Sequence, residues 1–403
     1  MSRLQQARRF LAFMGLPLLS AFSPLLVLPV VARVAGASGF ASIALGQAIG
    51  TIATTIVLFG WAVSGPARVA RAQERAELYW LSFVMRCAVA FFVFPAVVVV
   101  SIVSAPAGQA ELLVVSSLAF ATAGLAPNWF FIGTGEPMKI AAYDGVPRMA
   151  ANLVGAGIAW LTRDALYYSG TLLLVAVVAS GVSAAALTRQ VGSRRVPLRT
   201  LWSDICAQAP SAGTASTMSF YESAPLAVLG AMRSPVLIQF APMDRLLKYG
   251  YIGVYAASAA LQGWVAELTG TEARRRMHIA LTFHGALGVL AGVAFATLAP
   301  VLDEIVFGQG FVIEPVAALW VGIGLAFMSM STSMGLHVLT PLGHHDEYLR
   351  ATLAGALLIV PVVFVLSARC GVTGVAIAIA TVQICVAGLL GLATRRAMRS
   401  LVV

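Results

Sequence analysis

Residues 240–264 read FAPMDRLLKYGYIGVYAASAALQGW. As a helix rising 1.5 Å per residue, this stretch is long enough to cross the roughly 30 Å hydrocarbon core of a bilayer. It nevertheless contains Asp244, Arg245 and Lys248. A charge at membrane depth costs about 2.5–3.5 kcal/mol on insertion scales, so these groups require pairing or a wet cavity.

The whole chain has the same character. Of its 403 residues 60% are hydrophobic and 10% charged, and the mean hydropathy is +0.90. Soluble domains carry about 25% charged residues, so the composition describes an all-α polytopic membrane protein. No polar stretch is long enough for a soluble domain. The opening MSRLQQARRFLAFMGLPLLS has the basic start of a signal peptide, but its apolar run continues to about Val31 and reads as a retained first span. The formal charge is +10, and Lys139 and Lys248 are the only lysines among 26 cations. Such arginines read as loop residues that set topology, and no nucleic-acid partner is expected. Cys87, Cys206, Cys370 and Cys385 show no metal or redox spacing, and neither metal nor cofactor is expected.

Twelve spans can be drawn, at about 10–33, 39–62, 79–104, 110–133, 148–162, 168–188, 208–232, 236–265, 277–300, 314–337, 350–368 and 371–394. Loop cations test the count, because they accumulate on the cytoplasmic side. With the N-terminus inside, the inside loops hold 3+3+2+4+3+1+3 = 19 cations, and the outside loops hold 4: Arg33, Arg163, Arg233 and Arg369. Removing either weak span, 148–162 or 208–232, would place the following arginine clusters outside. Both termini are therefore expected in the cytoplasm. The longest inside loop is expected at 189–207, with Arg194 and Arg195 among its cations.

The chain also halves. LPVVARVAGASGFASIALGQAI (28–49) and APLAVLGAMRSPVLIQFAPMDRLL (224–247) both place a proline, a short polar turn and a re-entering helix, and 148–190 parallels 350–397 in layout. An even repeat keeps both halves the same way up. This predicts two pseudo-symmetric six-helix lobes, 1–200 and 201–403, facing each other across a cavity.

Several stretches resemble polysaccharide biosynthesis proteins of the Wzx type, the lipid-linked oligosaccharide flippases of the MOP exporter superfamily. They are LPVVARVAGASGFASIALGQAIGTIATTIVLFGW (28–61), APNWFFIGTGEPMKIA (126–141), IQFAPMDRLLKYG (238–250), LDEIVFGQGF (302–311) and CGVTGVAIAIATVQ (370–383). Each is diffuse, and the likeness lies in their order and spacing along the whole chain. The resemblance implies two V-shaped lobes of the MATE-like kind, alternating access, and a cationic lumen for a lipid-linked pyrophosphate. It also implies a bacterial inner-membrane location. The expected partners are that lipid-linked oligosaccharide, membrane lipids and polysaccharide assembly proteins.

Depth nominates the site residues. Arg245 lies about 14 Å into its span and Lys248 a turn deeper, too far in to snorkel easily. Asp244 and Lys248 are four apart and share a helix face. Arg245 and Lys248 are candidate substrate cations, with Asp244 a charge-balancing or structural partner. The guanidinium suits phosphate because its planar fork binds two oxygens. Arg86, about 10 Å from the inner surface, reads either as a cavity cation or as a snorkelling anchor. Arg33 reads as a cavity-mouth cation or an interfacial anchor. Glu222, in a span rich in Ser, Thr and Gly, is either an ion-coupling carboxylate or a salt-bridge partner. His284 and His337 read as hydrogen-bonded packing residues, and GHHDE (343–347) as a solvated loop. Trp61, Tyr79, Trp80, Trp129, Tyr167 and Tyr168 sit at span ends and read as interfacial belt residues.

No G-x-x-x-x-G-K-[ST] is present, so the chain has no P-loop of its own. A multidrug exporter of the same superfamily is the alternative, favoured by an acidic cavity. A polymerase or lipid-sugar transferase would need a longer loop, and no enzymatic activity is expected. The topology is testable: a reporter active only in the cytoplasm, fused after Val403, should be active, and activity solely of an outside-dependent reporter there would overturn it.

Overall fold

The computed structural model describes residues 3–189, 197–266, 270–308 and 310–399, with side-chain surroundings from residue 24 onward save at a few positions. Arg194 and Arg195 lie outside the described residues.

The described chain is helical, with no strand. In order the helices are α1 (Arg3–Leu58), α2 (Trp61–Arg71), α3 (Arg75–Ser104), α4 (Ala110–Ala121), α5 (Asn128–Thr134), α6 (Pro137–Ile140), α7 (Val146–Thr162), α8 (Leu166–Thr188), α9 (Leu198–Ala231), α10 (Val236–Ala266), α11 (Gly270–Val306), α12 (Pro315–Ser333) and α13 (His345–Arg399). A 3-10 turn, Thr122–Leu125, joins α4 towards α5, and π-helical turns occupy Ala141–Gly145 and Met334–Leu339. Among the described residues, seven helices are long and apolar enough to cross a membrane. Two of them are double. At 56 and 55 residues, α1 and α13 are each more than twice as long as a bilayer core is thick.

These two are broken at one residue each. Gly36 has φ 65 and ψ 178, and Gly371 has φ 59 and ψ −138. Such backbone is open almost only to glycine. Divided there, each expected span falls largely on helix. The polar turns expected after residues 33 and 368 prove to be single-residue breaks within otherwise continuous helix. Positive φ recurs at Arg163 (φ 59) and Arg233 (φ 50), within the short connections 163–165 between α7 and α8 and 232–235 between α9 and α10. The four cations assigned outside, Arg33, Arg163, Arg233 and Arg369, all lie at these four hairpins. Gly108 (φ 72) follows α3, and Gly308 (φ 87) and Gly310 (φ 98) follow α11 in the matching place of the second half. The repeat that is faint in side chains is therefore plain in the backbone.

By internal contacts the chain forms two compact units, Met1–Ser223 and Ala224–Val403, the boundary falling within α9. The first unit packs through small residues. Gly46 and Gly50 bring α1 against α4 so closely that a Cβ on Gly50 would lie 2.5 Å from the Ser117 carbonyl. Thr54 donates to the Phe120 carbonyl (2.7 Å), and Ser101 to Ser117 (2.9 Å). In the second unit Gly288 and Gly292 do the same for α11 and α12, where a Cβ on Gly292 would meet the Gly322 carbonyl at 2.5 Å. Lipid offers no hydrophobic drive between helices, so close backbone approach and hydrogen bonds hold them together.

One expectation needs correcting. The inside loop drawn to residue 207 ends earlier, because α9 begins at Leu198. Its first turns are amphipathic: Leu201 and Ile205 pack on the cluster around Trp61 and Trp129, while Asp204 pairs with Arg68 at 2.7 Å. Ser64 donates to the Gln208 side chain at 2.6 Å. Polar residues that read as loop are thus an interface between α2 and α9.

A Cβ at Gly36 or Gly371 would meet nothing within 4 Å, so the backbone alone opposes substitution. Gly36→Ala and Gly371→Ala should each cost about 1–3 kcal/mol. Thermal unfolding of the purified variants in detergent checks this, and unchanged midpoints would refute it.

Candidate functional site

Pro242 stands in the second turn of α10 and starts the charged segment. Asp244 is buried, its side chain 7% exposed, and Lys248 is 21% exposed. The Lys248 ammonium lies 4.0 Å from Asp244 Oδ1, at the outer limit of an ion pair. Arg245, one residue on from Asp244, is half-buried. The structure therefore brings Asp244 and Lys248 together on one face of α10, as their spacing predicts. The turn from Asp244 to Lys248 carries one acid and two bases.

Arg86 has a different setting. It is 0% exposed and stands over the point where the α4 helix breaks before Pro127. Its Nη1 donates to the carbonyls of Gly124 and Ala126, both at 3.0 Å, and its Nε to Ser82 Oγ at 3.1 Å. Proline has no N–H and ends the regular ladder, leaving carbonyls without helical donors at membrane depth. Arg86 supplies those donors. Its guanidinium also stands 5.7 Å from the Tyr79 ring centroid and 5.8 Å from that of Trp129. Nη1 is thereby committed to the protein's own backbone.

The aromatic residues beside it correct a second expectation. Trp61, Tyr79 and Trp129 are buried in one cluster with Phe130 and Phe131, not at a lipid interface. Trp61 and Trp129 have centroids 4.7 Å apart, and Arg68 stacks 4.4 Å over Trp61. Gly65 makes room for the Trp129 ring. Tyr168 is buried too, donating to Asn152 Oδ1 at 2.8 Å, whereas Tyr167 is exposed as expected. Aromatic residues at span ends look alike in sequence whether they face lipid or a neighbouring helix. Only the nearby small residue, here Gly65, could have pointed inward.

Arg33 is exposed at the first hairpin and donates to the Pro29 carbonyl at 3.1 Å. Glu222 is half-buried on α9. GHHDE, expected as a loop, is helical from His345, where α13 begins; His344 lies 3.7 Å from Glu347, and no metal-holding group of acids, cysteines and histidines occurs among the described residues. His284 and His337 are both 0% exposed and meet, with ring centroids 5.3 Å apart. Sequence spacing gave no sign that these two would be partners.

Long apolar helices, seven of them long enough to span a bilayer among the described residues, define a multi-pass membrane protein. The chain belongs to the polysaccharide biosynthesis protein family, which matches residues 7–212. Its fold resembles that of the lipid II flippase MurJ in an inward closed conformation, with TM-score 0.73, 12% identity, and 95% of this chain and 87% of that chain covered. A MOP superfamily transporter from Pyrococcus furiosus gives TM-score 0.57 at 16% identity, over 98% of this chain and 94% of that one. The Vibrio cholerae MATE transporter VcmN gives 0.58 at 18% identity, over 98% and 97%. No curated protein matches the chain.

Arg86 yields a stability prediction. Arg86→Met should lower stability by about 2–4 kcal/mol, since it strands two buried carbonyls. Arg86→Lys should recover only part, because one ammonium cannot reproduce the guanidinium fork. Folded yield and thermal unfolding read this out, and a fully stable Arg86→Met protein would show that the carbonyls need no donor.

Proposed function

We propose that the protein flips a lipid-pyrophosphate-linked oligosaccharide across the bacterial cytoplasmic membrane for surface polysaccharide assembly. It works by alternating access through a cationic cavity, with both termini in the cytoplasm. The observation that carries this reading is the charged turn of α10. Two cations and one acid occupy α10, whose 31 residues are long enough to cross lipid, and the acid is the most buried of the three. Lipid alone would expel such a turn, whereas an anionic substrate in a wet passage would use it. The polysaccharide family and the MOP fold support the transport class.

In this reading Arg245 and Lys248 attract the pyrophosphate, and Asp244 holds Lys248 in place between substrates. Arg33 and Glu222 contribute at the passage mouth and to charge balance or ion coupling. Arg86 acts on the substrate only through the helix break that it stabilises.

Complementation of a flippase-deficient strain, scored as surface polysaccharide, tests the proposal. Wild type should restore polysaccharide. Arg245→Ala should abolish it while the protein still inserts, and Arg245→Lys should restore it in part. Normal export by Arg245→Ala and Lys248→Ala together would remove α10 from the mechanism. Resistance to cationic drugs without polysaccharide export would instead favour a multidrug exporter.

A further inference from the structure

The second unit contains a buried polar cluster that substrate recognition leaves unused. It joins Ser258 of α10, His284 of α11, Ser329 and Ser333 of α12, and His337 of the π-helical turn Met334–Leu339. All five side chains are buried. His284 Nε2 is 3.3 Å from Ser258 Oγ, and His284 Nδ1 is 3.1 Å from Ser329 Oγ. His337 Nδ1 is 3.0 Å from Ser333 Oγ, and its Nε2 is 3.0 Å from the Ser258 carbonyl.

Counting protons separates the two rings. A carbonyl only accepts, so His337 Nε2 carries the hydrogen that it donates to Ser258. His337 Nδ1 then accepts from the Ser333 hydroxyl. His337 is complete as a neutral ring. His284 is not. Ser258 Oγ donates to the Val254 carbonyl at 3.0 Å, and Ser329 Oγ donates to the His284 carbonyl at 2.9 Å. While each hydroxyl's one hydrogen lies on its carbonyl, its oxygen can serve the ring only as an acceptor. With both hydrogens so placed, His284 must supply two N–H donors, which only the imidazolium has. A neutral His284 is satisfied when one serine turns its hydrogen from the carbonyl onto the ring. That leaves one fewer hydrogen bond in the cluster.

We propose that His284 is a proton-binding site at membrane depth, with Ser258 as the hydroxyl that turns when the proton arrives and Ser329 as the standing acceptor. With Nδ1–H already donating to Ser329, the incoming proton adds to Nε2. The Ser258 O–H swings from Nε2 to the Val254 carbonyl, and the new N–H donates to Ser258 Oγ. No covalent bond breaks and no helix hydrogen bond is lost. His284 lies about 21 Å along α11 from Gly270, far from either helix end.

The surroundings leave the proton without a carboxylate to take it. The facing titratable group is His337. Phe283 presents a ring edge 5.6 Å from His284, α12 bears no charged residue, and the charged residues of α11 lie at its ends, in Glu272–Arg276 and Asp303–Glu304. The other titratable side chains nearest on the packed elements are Tyr251 and Tyr255 on α10, His278 on α11, and Tyr348 of α13, whose ring fills the space left by Gly335. No acid joins the two histidines in a cluster among the described residues. Through Ser258 and His337 the protonation state acts on α10, the helix of Asp244, Arg245 and Lys248. Its use in driving transport rests on the flippase reading, but the site itself does not.

The test is a titration of the full-length protein in lipid nanodiscs, read by 15N-histidine NMR. His278, His344 and His345 are replaced by Gln so that two imidazoles remain. Between pH 4 and pH 9 one ring should titrate, and the signal should vanish in His284→Gln and persist in His337→Gln. Ser258→Ala and Ser329→Ala should each lower the midpoint by about one pH unit, the equivalent of one hydrogen bond to the charged ring. Should His284→Gln fail to fold, the two serine variants decide. No titration of either ring, titration by His337, or midpoints unmoved in both serine variants would make the pair a packing device only. The titration needs no substrate, so failed complementation leaves it standing, and its failure leaves the flippase reading standing.

Discussion

Everything in this chain answers to one constraint: a backbone carbonyl or amide in hydrocarbon must find its partner within the protein. Uninterrupted helix meets the demand without help. Wherever the helix breaks, another group stands in. At Pro127 the substitute is Arg86, whose guanidinium serves two carbonyls and is itself accommodated by Ser82, Tyr79 and Trp129. At Gly36 and Gly371 the break is reduced to one residue, so few groups are stranded. The charge on Arg86 is thus the consequence of a kink, while the kink sets the direction of the short helices Asn128–Thr134 and Pro137–Ile140.

The charges on α10 arise differently. Asp244 and Lys248 lie at the edge of ion-pair distance, in a helix that is otherwise regular beyond Pro242. This contrast separates the cations by setting: Arg86 completes a broken backbone, and Arg245 and Lys248 lie within a continuous helix in the turns after Pro242.

Much of this was legible in the sequence, because its signals are long or cumulative. Apolar runs of bilayer length marked the long helices. The spacing of Asp244 and Lys248 gave their shared face. The rest depends on which side of a helix meets another helix, and an all-round apolar sequence hides that. Trp61 and Trp129 read as lipid-facing because they stand at span ends. Residues 198–207 read as loop because a polar residue among them, Asp204, finds its partner on a distant helix. His284 and His337 are separated by a whole span, and only the π-helical turn brings the second ring to Ser258. Gly46, Gly50, Gly288 and Gly292 were the overlooked clue, since two small residues four apart mark close helix contact.

The glycine breaks at Gly36 and Gly371, and the short connections 163–165 and 232–235, have a consequence for how the molecule can be probed. They leave little chain beyond the helix ends. A protease or an inserted tag needs several residues of accessible, adaptable backbone, and these turns offer almost none. Residues 310–314 form a longer non-helical stretch, with Phe311 and Ile313 buried and Val312 and Glu314 exposed. A label placed between helices belongs there, beside the exposed positions.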